Sequence, residues 1–131
     1  MQYEEKKSLS HVRLANAEDC LKSAITLLAA ESYKGAANRC YYAVFHAMRA
    51  VLAMDEIDMK HHSGIISEFR KRYIKTGILE VGLSDVITAA YDLRTDSDYN
   101  DFYVVSKRDV AEQIESAEYF LSRIRSYLEG I

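Results

Sequence analysis

An arginine and a histidine lie two helical turns apart in a segment otherwise rich in alanine and large apolar residues. Arg39 and His46 lie in the stretch NRCYYAVFHAMRA, with six residues between them. In a helix, residues seven apart point in the same direction, because two turns take about seven residues. Arginine binds phosphate oxygens and histidine transfers protons near neutral pH. The pair could therefore hold a phosphate or act on one.

A helical projection divides this stretch into two faces. The predicted core face carries Tyr41, Val44, Phe45, Met48, Val51 and Leu52. The opposite face carries Arg39, Tyr42, His46 and Arg49, interleaved with alanines at 36, 43, 47, 50 and 53. Small residues between cations suit close approach by another helix or by a bound anion. The alternative is that the arginines and Tyr42 pair with acids of neighbouring helices and that His46 is a satisfied, partly buried histidine.

A second group of polar residues lies in YDLRTDSDYNDFY, Tyr91 to Tyr103. Arg94 and Asp98 share a face if the helix continues through them. One interpretation is an internal salt bridge. The other is an arginine held in position for a ligand, with Tyr99 and Tyr103 available to stack on bases. The residues alone leave both open.

Two further basic segments have ordinary explanations. The run RKRYIK, Arg70 to Lys75, complements the dipole of a helix C-terminus, or alternatively holds an RNA backbone. His61 and His62 are adjacent and so lie on different faces of a helix, with no third ligand at a suitable spacing. We expect no metal site and no cofactor.

Apolar periodicity along the chain indicates helices. The apolar spacing predicts a first helix over Leu9 to Ala30 with Ser8 or Ser10 as its cap, and a second helix after Ser32. The apolar stripe of the first helix consists of Leu14, Ala17, Leu21, Ala24, Ile25 and Leu28. A shorter third helix opens at Ser63, a fourth starts near Leu83 and ends within RTDSDYNDFYVV, and a fifth is capped by Ser106. The predicted fold is all-α, an up-and-down bundle of four long helices and one shorter helix.

Composition limits the class of protein. The chain has 131 residues, no proline and a formal net charge of −3, which suits a single domain over 1–131 and makes any nucleic-acid contact a matter of a local patch. No apolar run is long enough to cross a bilayer, and the N-terminus lacks a secretory signal. We expect a cytoplasmic protein with no membrane contact, in which Cys20 and Cys40 are reduced packing residues.

The chain also resembles a known family. Four segments carry the likeness: SYKGAANRCYYAVFHAMRAVLA, KHHSGIISEFRKRYIKTGIL, YDLRTDSDYNDF and AEQIESAEYFLSRI. They look like the HEPN domain (higher eukaryotes and prokaryotes nucleotide-binding), in its small stand-alone prokaryotic branch, from about Leu9 to Leu128. The resemblance implies a helical bundle that commonly forms a homodimer. It also implies a nucleotidyltransferase partner in a toxin and antitoxin pair.

Many members of this family are metal-independent endoribonucleases with an Rx4-6H motif, in which the arginine stabilises phosphorane charge and the histidine moves a proton. Arg94 matches the arginine of that motif and Tyr99 the tyrosine that often follows, but no histidine follows Arg94 within reach. Arg39 and His46 satisfy the spacing in the earlier helix instead. They would form a composite site with Arg94 if the second and fourth helices are neighbours.

These expectations define three hypotheses. The first is a nucleotide- or RNA-binding bundle that uses the residues Arg39, Tyr42, His46, Arg49, Arg94, Asp98 and Tyr99. The second is a metal-independent endoribonuclease toxin with His46 as general acid or base and Arg39 or Arg94 as phosphate stabiliser. The third is a purely structural dimeric interaction domain whose arginines are all internally paired.

Overall fold

A computed structural model describes residues 1–131 and contains helices but no strands. Its elements are α1 Tyr3–Ala29, α2 Tyr33–Ala53, α3 His62–Phe69, a π-helical turn Arg70–Ile74 that continues α3, α4 Gly82–Tyr99 and α5 Lys107–Glu129. The all-α prediction, with four long helices and a shorter one, is confirmed. None of these helices combines the length and hydropathy needed to span a membrane.

Helix α2 is the central element, because it packs against each of the other four α-helices. Its alanines at 36, 43, 47, 50 and 53 are all 0–1 % exposed, and so are the large residues Val44, Met48 and Leu52 on the opposite side. Ala24 of α1 clusters with Ala36 and Cys40, since small side chains let the two backbones approach closely. Apart from Gly35, the positions of α2 that reach the surface carry polar or tyrosine side chains.

Helix α1 differs from its prediction in both its start and its buried face. It begins at Tyr3, and neither Ser8 nor Ser10 caps it: Gln2 is the N-cap residue, and Ser10 is 3 % exposed inside the helix. The predicted stripe included Ile25, which is 46 % exposed. The buried residues are the mostly small set Ser10, Arg13, Ala17, Cys20 and Ala24. Small residues occupy this face because it must lie close to the alanines of α2.

The later helices follow their predictions closely. Helix α4 continues through the acidic segment to Tyr99, and Ser106 Oγ accepts a hydrogen bond of 3.0 Å from the backbone N–H of Asp109 at the start of α5. In the basic run, Arg70 donates to Ser84 Oγ at 3.0 Å and to Thr88 Oγ1 at 2.7 Å, which ties the end of α3 to α4. The Arg70 guanidinium is therefore used inside the fold.

Both cysteines are free and buried, as predicted. Burial raises the pKa of the Cys40 thiol to about 12, so the thiolate needed for nucleophilic chemistry is scarce at neutral pH. Cys40 is a packing residue of the core.

Candidate functional site

Two arginines that come from different helices lie within cation–π distance of the ring of Tyr42. The guanidinium carbon of Arg39 is 5.1 Å from the ring centroid, and that of Arg94 is 5.5 Å from it. Both distances suit cation–π contact. The packing of α4 on α2 thus joins the two candidate arginines that sequence alone left on separate helices. We call the group Arg39, Tyr41, Tyr42, His46, His62 and Arg94 the Tyr42 cluster.

Arg39 has no carboxylate partner. Its side chain donates to Oδ1 of Asn38 at 2.8 and 3.1 Å, and Nη1 lies 3.7 Å from Sγ of Cys20. The alternative in which this arginine pairs with an acid of a neighbouring helix is therefore wrong. Neutral acceptors orient the guanidinium and leave its charge uncompensated.

Arg94 is held by an acid and by aromatic rings. Its Nε lies 3.0 Å from Oδ2 of Asp98, although the N–H is not directed at the carboxylate and makes no hydrogen bond. The guanidinium carbon is 5.2 Å from the ring centroid of Tyr41, and Nη2 is 3.5 Å from Oη of Tyr42. The predicted internal salt bridge exists, but its poor alignment leaves the donors of Arg94 only partly used.

His46 is a partly exposed histidine whose ring lies 5.9 Å from that of Tyr42 and 5.7 Å from that of Phe45. Its Nδ1 is buried without a hydrogen-bond partner. Burial lowers the pKa of His46, and the positive charges of Arg49, Arg39, His62 and Arg13 lower it further. The imidazole is therefore neutral at pH 7 and able to accept a proton.

His62 belongs to the cluster, although its sequence context indicated only an incomplete metal site. It is the first residue of α3, its ring stacks on Phe45 at 4.0 Å, and its Nδ1 lies 3.0 Å from Oη of Tyr41. Burial, Arg94 and Arg49 lower the pKa of His62. Helical periodicity could not find this residue, because the connection before α3 decides which of His61 and His62 turns inward.

Arg13 is the second residue that sequence reasoning missed. It is 7 % exposed and donates to the backbone carbonyl of Arg49 at 3.2 Å and to Oδ2 of Asp58 at 3.2 Å. Arg49 lies 3.4 Å from the same carboxylate oxygen. One aspartate is therefore shared by two arginines, and the region beside His46 keeps an excess of positive charge.

Tyr99 lies outside the cluster. Its side chain is 75 % exposed at the last residue of α4, and none of the ring or guanidinium contacts described above involves it. Asp98, by contrast, is in direct contact with Arg94. Of the residues singled out from the sequence, Arg39, Tyr42, His46 and Arg94 come together, Arg49 and Asp98 lie beside them, and Tyr99 does not.

A groove of about 490 Å³ between α3 and α4 adjoins the cluster. Tyr91 lines it and lies with its ring 6.0 Å from that of Tyr41, and Ser63 lines it next to His62. Another cavity, of about 400 Å³, lies between α1 and α5 and is lined by residues such as Leu14, Leu128 and Arg125. The arginines and histidines of the Tyr42 cluster line neither cavity, and the groove between α3 and α4 meets the cluster through Tyr91 and Ser63.

Comparisons with known proteins agree on one family. A sequence profile described as the HEPN domain matches residues 10–127. The chain is 33 % identical over 115 residues to a Methanocaldococcus jannaschii protein named "Putative toxin MJ0142", covering 88 % of this chain and 78 % of that protein. It is 29 % identical over 127 residues to a "UPF0332 protein" of Thermotoga maritima, covering 97 % and 96 %. A crystal structure titled as an archaeal HEPN homologue, ST0689, superposes with a TM-score of 0.64 at 20 % identity, covering 91 % and 97 % of the two chains.

Proposed function

The chain belongs to the HEPN domain family, and from that premise we propose that the Tyr42 cluster binds the phosphate of an RNA or a nucleotide. One observation carries the proposal: Arg39, without a carboxylate partner, lies on the same tyrosine ring as Arg94. Two guanidinium groups on one rigid ring form a preorganised site for an oxyanion, because their orientation is fixed before the ligand arrives.

Local charge supports an anionic ligand in spite of the net charge of −3. Four arginines lie in this region, and only two carboxylates, those of Asp58 and Asp98, form ion pairs with them. The arginines are Arg13, Arg39, Arg49 and Arg94. An anion would also interact favourably with His46 and His62, since a phosphate would stabilise the protonated form of each ring. The groove beside Tyr91 offers room and an aromatic surface for a base attached to that phosphate.

We propose further that the protein acts as a homodimer and as the HEPN component of a toxin and antitoxin pair with a nucleotidyltransferase partner. The support is the family itself and the toxin name of the Methanocaldococcus jannaschii relative. Co-purification from the native host, followed by identification of the bound protein and nucleic acid, tests this assembly. Recovery of the chain alone as a monomer would contradict it.

Ligand binding is tested by titrating the protein into a fluorescently labelled single-stranded RNA, with ATP as a competitor, and following anisotropy. We expect Arg39→Gln to weaken RNA binding about 10- to 100-fold, the loss typical of a charge-assisted contact. The matched control is Arg108→Gln, which removes the same charge from an exposed ion pair at the start of α5. Equal affinities for the two variants would remove Arg39 from the binding site.

A metal-independent endoribonuclease is the second candidate, favoured by the neutral His46 beside Arg39. A neutral imidazole can take the proton of a ribose 2′-hydroxyl while an arginine stabilises charge on phosphorus. This function predicts RNA cleavage in the presence of EDTA that His46→Ala abolishes. Cleavage that survives His46→Ala would exclude this histidine from the reaction. The third hypothesis, a purely structural domain, predicts instead that the wild-type protein neither binds nor cleaves RNA.

A further inference from the structure

Two histidines from different elements share the same pair of aromatic rings. His46 of α2 lies 5.9 Å from Tyr42 and 5.7 Å from Phe45, and His62 of α3 lies 5.7 Å from Tyr42 and 4.0 Å from Phe45. Both are partly exposed, and burial together with the positive charges of Arg49 and of other arginines lowers the pKa of both. The cluster therefore contains two proton-transfer groups, where the sequence offered only one.

The hydrogen bonds of the two histidines differ in a way that separates their roles. Nδ1 of His46 is buried without a partner, so nothing in the protein stabilises a proton there. Nδ1 of His62 lies 3.0 Å from the Tyr41 hydroxyl. That hydroxyl can donate to the neutral ring or accept from the protonated one, because a phenol is both donor and acceptor. His62 can thus change protonation state without losing its hydrogen bond.

We propose that His62 is the proton donor and His46 the proton acceptor in the cleavage of an RNA linkage, with Tyr41 as the positioning residue of His62. The proposal rests on the endoribonuclease candidate above and names a residue outside the Arg-His motif. Arg39 and Arg94 would hold the phosphate, whose negative charge offsets the effect of burial and of Arg94 and Arg49, which lower the pKa of His62 in the free protein. The proton goes to His62 and not to His46 because only the Nδ1 of His62 has a hydrogen-bond partner, the Tyr41 hydroxyl.

The reaction balances without a metal or a co-reactant. The 2′-oxygen attacks the adjacent phosphorus as His46 takes its proton, so that a bond between phosphorus and O2′ forms. The bond between phosphorus and O5′ breaks, and O5′ leaves with the proton of His62. The products are a 2′,3′-cyclic phosphate and a 5′-hydroxyl, and solvent returns the two histidines to their starting states. A linkage without a 2′-hydroxyl is inert.

The test uses two forms of one RNA, with EDTA present throughout. Cleavage sites are first mapped on the ordinary RNA, and the O5′ of one such linkage is then replaced by sulfur, whose thiolate leaves without a proton. We expect His46→Gln and His62→Gln each to slow cleavage of the ordinary RNA about 100-fold or more. On the sulfur-containing RNA, His62→Gln recovers to near the wild-type rate and His46→Gln does not.

His61→Gln is the matched control, since His61 is an exposed neighbour whose side chain makes no capping hydrogen bond to α3. It is expected to keep the wild-type rate on both substrates. Tyr41→Phe removes only the hydroxyl that holds His62. We expect it to slow cleavage of the ordinary RNA less than His62→Gln does, and to cleave the sulfur-containing RNA at near the wild-type rate. This variant keeps the test informative should His62→Gln destabilise the fold.

Three results would overturn the proposal: wild-type cleavage of ordinary RNA by His62→Gln, a His62→Gln defect that sulfur does not correct, or no cleavage by the wild-type protein. RNA anisotropy measured on the same samples distinguishes a failure of the two-histidine assignment from a failure of phosphate binding at the Tyr42 cluster. Binding without cleavage contradicts the two-histidine assignment and leaves phosphate binding intact, whereas absence of binding contradicts both.

Discussion

The guanidinium of Arg39 lies 5.1 Å from the ring centroid of Tyr42 and has no carboxylate partner. A half-buried arginine usually pairs with an acid, because an uncompensated charge loses hydration. Here an aromatic ring and the amide oxygen of Asn38 fix its direction without neutralising it. That combination makes Arg39 the group of the cluster best prepared for an anionic ligand.

Arg94 is restrained by Asp98, so removing the carboxylate should strengthen anion binding. The two side chains are 3.0 Å apart within α4. We expect Asp98→Asn to raise RNA affinity about 3- to 10-fold, since the charge of Arg94 is then free for phosphate. Fluorescence anisotropy measures the change, and Glu112→Gln, which frees the exposed Arg108, is the control. Weaker binding by Asp98→Asn would mean that the aspartate itself serves the ligand.

Arg13 should matter for stability. It is 7 % exposed and joins α1 to the end of α2 and to the following connection through Arg49 and Asp58. We expect Arg13→Ala to lower the free energy of unfolding by about 1 to 3 kcal/mol, because the part-buried carbonyl of Arg49 and the carboxylate of Asp58 both lose a charged donor. Urea denaturation followed by circular dichroism measures this loss. Arg108→Gln should have almost no effect, and an equally small effect for Arg13→Ala would contradict the structural role.

The lowered pKa values of His46 and His62 predict that stability falls on mild acidification. Folding disfavours their protonated forms, so the unfolded state binds more protons, and stability is full above the ordinary histidine pKa of 6.5. It is lost as pH falls from there through the lower pKa values of the folded state. The pKa values of Glu56 and Glu80 are lowered from 4.5, so their contributions are lost only at lower pH.

Urea midpoints between about pH 7 and 5.5 measure the contribution of the histidines. The double variant His46→Gln, His62→Gln should show a flatter dependence than the wild type. The same slope in both proteins would contradict the electrostatic account of the cluster.

The sequence could predict those parts of the site that lie on one helix. Arg39, Tyr42 and His46 share α2, whose period fixes their common direction, and the spacing of Arg94 and Asp98 fixes theirs on α4. The helix count and the cap at Ser106 followed from apolar spacing and cap chemistry in the same way. Local geometry decides all of these features.

The positions of Arg13 and His62 in the structure depend on how the helices pack against one another, which the sequence alone does not indicate. Arg13 is polar and so was not counted on the buried face of α1, yet the close approach of α1 to α2 places it there. The connection after α2 is irregular and has no helical periodicity. The sequence therefore does not indicate whether His61 or His62 points toward the core. Ile25 was predicted to be buried but is exposed, because the small residues of α1 form its contact with α2.

The salt dependence of RNA affinity for the wild type and for Arg39→Gln shows whether Arg39 binds a phosphate. For single-stranded RNA each neutralised phosphate contributes about 0.7 to the slope of log K against log salt. Phosphate binding at the Tyr42 cluster predicts that Arg39→Gln reduces the magnitude of the slope by about 0.7, while Arg108→Gln leaves it unchanged. Identical slopes for the wild type and Arg39→Gln would contradict the claim that Arg39 binds phosphate.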